Sequence, residues 1–213
     1  MVRVSYTWSI LVIFWSLVFM FWPSGDSSAD LPSGPEAYQF LHMNDSTGEP
    51  IVWSSCPLSW SLDASDGPSD TEATVVEALE IISEASGLRF ERVERNGAIS
   101  ISVVEASAVE GSETRNGKVL GKAGMVVVRD EEGTAIPIYS EVLLVGSALE
   151  ELPAGFDRYA SRGGLVVHEV LHALGMDHVD HSKSIMHPDA LEESFGFSPG
   201  DRQALQIIGA ACR

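Results

Sequence analysis

The chain has 213 residues, 45% of them hydrophobic, enough for one sizeable core but not for two, so a single folded domain is expected. Its 13 Lys and Arg face 31 Asp and Glu, a formal net charge of -18 that repels phosphate backbones and anionic lipid headgroups and argues against any nucleic-acid partner.

Arg3 is the only basic group ahead of an apolar run from Ile10 to Trp22, interrupted only by Ser16. Pro23, Ser24 and Gly25 then break any helix, and Ser27-Ser28-Ala29 places small residues where a signal peptidase cuts. Residues 1–29 therefore read as a signal peptide. An uncleaved membrane anchor is the competing reading, although the run is at the short end of the about 17 to 20 residues a span needs. The Ser-, Pro- and Gly-rich stretch that follows makes 30–37 a flexible segment and leaves 38–213 as the domain.

Leu58, Trp60 and Leu62 alternate with Ser59 and Ser61, the period-2 pattern of a half-buried strand. From Ser69 the chain reads Ser-Asp-Thr-Glu, a capping-box pattern, and Val75, Val76, Leu79, Ile82 and Ala85 recur at helical spacing until Gly87. Two short strands are expected at 88–93 and 99–104, with Asn96-Gly97 as a turn signal between them. Two more are expected at 124–128 and 136–145 around the polar turn 130–133, the second as an edge strand. A buried helix should run from about Ser161 to Leu174, and a last one should start at the N-cap Ser198 with Pro199 in the first helical position. The layout is a mixed sheet with helices.

Residues 168–178 read His-Glu-Val-Leu-His-Ala-Leu-Gly-Met-Asp-His. On a helix, His168 and His172 project from one face one turn apart, close enough to bind one ion. Gly175 then allows a sharp turn that returns His178 to the same ion. Three neutral imidazole nitrogens suit Zn2+ and leave a fourth position for water. Glu169, beside the first ligand without being one, suits a general base acting on that water, and the same group can protonate a leaving amine. Peptide hydrolysis is the reaction class this set serves. Six histidines occur in the chain; His181 and His187 lie near the pattern but outside it and are expected at the surface or packed behind the ligands. An even cysteine count in an exported protein also suggests that Cys56 and Cys212 pair.

The motif H-E-x-x-H-x-x-G-x-x-H, followed by Ser184-Ile185-Met186-His187-Pro188, resembles the metzincin metallopeptidases, and the spacing from His178 to Met186 is most like their matrixin branch. Weaker similarity to secreted bacterial matrixin-like peptidases extends over roughly Tyr38 to Cys212. The resemblance implies an α/β (α+β) fold with a twisted mixed sheet above a cleft, an active-site helix below it, a C-terminal helix and an edge strand that pairs with an extended substrate. It also implies that Met186 forms an apolar base beneath the zinc histidines. No cysteine-switch pattern is evident, since Cys56 sits in Trp-Ser-Ser-Cys-Pro, and no histidine cluster matches a second, structural zinc. Ca2+ sites are compatible with so acidic a chain, but no ligand pattern identifies one.

The expectation is thus a secreted, monomeric zinc endopeptidase acting on protein or peptide substrates, with a membrane involved only if residues 1–29 stay attached. Two rivals remain: a catalytically idle metal-binding recognition domain, and a membrane-tethered peptidase.

Overall fold

The computed structural model describes residues 32–34, 36–109, 119–129, 135–189 and 195–212. The expected signal peptide and the expected turn at 130–133 lie outside them. Five strands, β1 (Leu58–Asp63), β2 (Phe90–Arg92), β3 (Ile99–Val104), β4 (Gly121–Arg129) and β5 (Ala135–Val145), form one mixed sheet. Four helices accompany it: α1 (Thr71–Ser86), α2 (Gly146–Glu151), α3 (Arg162–Ala173) and α4 (Pro199–Ile208). The strand order is β2-β1-β3-β5-β4, parallel except for β4, which runs antiparallel to β5. α3 packs on β4 and β5, while α1 packs on α3 and α4. One core joins them, with Ile82, Ile101, Leu144, Val166, Leu171 and Leu205 fully enclosed.

β1 lies inside the sheet, and this explains its serines. Ser61 is buried despite its polarity, and the hydroxyls of Ser59 and Ser61 accept the backbone N–H groups of Ala98 and Gly97. Asn96-Gly97 consequently makes no hairpin: β2 and β3 lie on opposite sides of β1, each parallel to it. Asn96 does adopt φ 56°, but Gly97 is needed for close approach, because a Cβ there would lie 2.5 Å from the Trp60 backbone.

The expected edge strand is also corrected. β5 is internal over Ser140–Val145, hydrogen-bonded to β3 on one side and β4 on the other, and β4 forms the edge. Val142, Leu144 and Val145 are buried as an internal strand requires, whereas most β4 residues are half-buried. Pro137, which has no N–H to donate, sits where β5 extends beyond β3.

The capping box expected at Ser69 does not form. The N-cap of α1 is Asp70, which makes no side-chain cap; its carboxylate instead accepts from Arg162 Nη1 at 2.7 Å through both oxygens, tying the start of α1 to the start of α3. Ser161 and Ser198 are true N-caps, accepting from Gly164 N and Asp201 N. The short α2 was not expected from the sequence. Among the described residues, no helix is long and apolar enough to cross a membrane.

Candidate metal centre

α3 carries His168, Glu169 and His172. Most of its circumference is buried, with Leu165, Val166, Val170 and Leu171 packing the helix under the sheet. After Ala173 the chain turns at Gly175, whose φ of 106° disfavours any side-chain-bearing residue. A Cβ there would also crowd Met125 Cε at 3.2 Å and Ile51 O at 3.3 Å. The turn returns His178 to the helix. The three Nε2 atoms then form a triangle with sides of 3.1 Å (His168–His172), 3.1 Å (His172–His178) and 3.3 Å (His168–His178).

Nε2 is the free nitrogen on at least two of these rings. His168 Nδ1 lies 2.6 Å from Ile185 O and His172 Nδ1 lies 2.8 Å from Met176 O; a carbonyl only accepts, so both Nδ1 atoms carry the proton. Their Nε2 lone pairs then point into a shared space with no proton between them, an arrangement that repels unless a cation occupies it. Nitrogens bound tetrahedrally at about 2.0–2.1 Å from a zinc ion stand about 3.3–3.4 Å apart, so the triangle fits zinc closely. Burial and neighbouring histidines lower the basicity of the set: His168 and His178 fall to about 4, and His172 falls well below its ordinary value. All three are therefore neutral and able to ligate near pH 7. Among the described residues this is the one group of three or more potential ligands placed to hold a metal.

Glu169 is 5% exposed, and its Oε2 has no hydrogen-bond partner among the described residues. Burial alone pushes its carboxyl up to about 8. Gly121, the first residue of β4, lies directly over it: a Cβ at that position would sit 2.7 Å from Glu169 Oε1. The edge strand and the glutamate are thus in immediate contact.

Met186 is fully buried, and its carbonyl accepts the N–H of Val179, the residue after His178. The turn that contains it is fastened from below by Asp201, a completely buried carboxylate that sequence reasoning missed. Asp201 accepts from Ser184 Oγ (2.6 Å), Ile185 N (3.1 Å) and Ser198 N (2.8 Å), so one side chain both caps α4 and holds the segment whose carbonyl orients His168. Its signal in the sequence is the Ser198-x-x-Asp201 spacing of a capping box. Trp53 was also missed; its Nε1 donates to Ala173 O at the end of α3. His187 is buried, with Nε2 3.6 Å from Asp180 Oδ1, and His181 is half-buried. Neither joins the triangle. Cys56 and Cys212 are bonded to each other, with Cα atoms 5.4 Å apart.

A buried helix presenting two histidines and a glutamate, a glycine turn returning a third histidine, and a mixed sheet closing over them define a zinc metallopeptidase. The matrixin family profile matches residues 52–208, and the chain belongs to that family. No curated protein matches it at a significant level.

Proposed function

We propose that the chain is a secreted zinc endopeptidase in which His168, His172 and His178 hold the ion and Glu169 is the general base. The observation that carries this reading is the triangle of imidazole nitrogens, two of them with their protons engaged on backbone carbonyls. His168, His172 and His178 would hold a zinc ion, which would supply Lewis acidity towards a scissile carbonyl and acidify an attacking water. Glu169 accepts the water proton and passes it to the departing amine. Burial pushes its carboxyl up to about 8, and a dication held beside it would favour the carboxylate, which ties its function as a base to metal loading.

β4 supports the choice of an extended peptide as substrate. Among the described residues it is the last strand on its side of the sheet, and its first residue lies against the glutamate. The residue 1–29 pattern and the Cys56–Cys212 bridge support export to an oxidising compartment. Purified domain should carry about one zinc ion per chain, cleave members of a peptide library internally, lose that activity to a strong chelator and regain it with added zinc. Undiminished hydrolysis after verified removal of all metal would overturn the proposal.

A further inference from the structure

The loop that delivers the third histidine belongs to no strand of the sheet. Its backbone is gripped by a segment from the other end of the chain: Leu41 N–H donates to Gly175 O and Asp177 N–H donates to Gln39 O, both at 2.8 Å. These bonds flank an antiparallel bridge between Phe40 and Met176. In this pattern the bridged residues are a non-hydrogen-bonded pair, whose side chains stand close together, and here both are buried. The loop is held again further on, where Asp180 N–H donates to Pro32 O at 2.9 Å.

The gripped residues are the ones that set the histidines. Met176 O accepts from His172 Nδ1, and Asp177 Oδ1 accepts the backbone N–H of His178 at 2.8 Å. Gln39 to Leu41 lie ahead of residue 52, where the family match begins, so the match does not account for them.

We infer that Gln39, Phe40 and Leu41 form a positioning strand for the metal centre, which fixes the Gly175–His178 loop before metal arrives and so raises zinc affinity. This rests on the zinc-peptidase reading above. A loop ligand that is ordered in advance loses less conformational freedom when the ion binds, and groups that orient metal ligands affect affinity almost as strongly as the ligands themselves.

Leu41→Pro removes the N–H that Gly175 O accepts, and Phe40→Ala removes the side chain across the bridge while sparing the hydrogen bonds. Zinc affinity of the full chain is measured by competition with a chromophoric chelator, with folding of the metal-free protein followed by circular dichroism. Each substitution should weaken zinc binding about 10- to 100-fold. The loss should be smaller in a His178→Ala background, where one of the two histidines that the loop positions is already gone. Equal losses in both backgrounds would make the segment a general stabiliser and overturn the inference. So would unchanged affinity in folded Leu41→Pro, or in Phe40→Ala should the proline variant not fold. Failure of the unaltered chain to bind zinc would instead sink the zinc-peptidase reading.

Discussion

Glu169 is adjacent to His168 in the chain, yet in the proposed mechanism its carboxylate and the three imidazoles have separable tasks. Glu169→Ala should retain about one zinc per chain while turnover falls roughly a thousandfold, because proton transfer is removed and the ion is left in place. Metal analysis beside a peptidase assay checks this, and joint loss of zinc and activity would make Glu169 a ligand. The same four groups contribute opposing pH dependences to the stability of the protein without metal. The histidines have folded values below their ordinary 6.5, so the stability they permit is present above pH 6.5 and is lost as pH falls below it, through about 4 for His168 and His178 and in the same direction for His172. Glu169 has the opposite sign: raised from 4.5 to about 8, its contribution is present below 4.5 and is lost as pH rises to about 8. Three groups against one give metal-free protein that is most stable near pH 6.5, with a steeper fall on the acid side. Urea midpoints at pH 5, 6.5 and 8 test it; a continuous rise through pH 8 would show that Glu169 is not buried as described. Asp201 acts on structure more than on chemistry. Asp201→Ala strands Ile185 N, Ser198 N and the Ser184 hydroxyl and should destabilise the protein by about 2–4 kcal/mol, read from denaturant unfolding.

Among the elements, the helices were the most legible, since α3 and α4 carry their own caps within a few residues. Ser161→Ala should therefore cost about 1 kcal/mol in urea unfolding. Ser69→Ala should change stability by less than about 0.5 kcal/mol, because Ser69 is not the N-cap of α1 and the residue that is, Asp70, makes no side-chain cap and is engaged by Arg162. A loss at Ser69 as large as that at Ser161 would contradict this difference. The start of α1 misled because a local pattern competed with charged partners from elsewhere: Glu72, the far half of the expected box, pairs with Arg92, and Asp70 pairs with Arg162, 92 residues away. Strands were legible as strands but not as neighbours. Asn96-Gly97 looks like a hairpin whether or not the flanking strands pair, and only the insertion of β1 between them decides.

For the molecule as a whole, the Cys56–Cys212 bridge closes a loop of 156 residues. In the chain-entropy model a loop that long stabilises by about 5 kcal/mol. Reduction, or Cys56→Ser with Cys212→Ser, should lower the thermal midpoint markedly while leaving zinc stoichiometry unchanged below it. An unshifted midpoint would show that packing alone holds the chain ends.

The histidine triangle was readable from sequence because it is local: helical pitch brings His168 and His172 together, and one glycine turn returns His178, all within eleven residues. Alternation and caps likewise revealed most strands and helices, since both arise from neighbours in the chain. Strand order, the identity of the edge, the anchoring of the Met186 turn by Asp201 and the grip of Gln39–Leu41 on the third-ligand loop were decided only in the folded chain. Each depends on groups well separated in sequence, Phe40 and Met176 most of all, and no local spacing encodes which backbone donor will meet which acceptor once the core has closed.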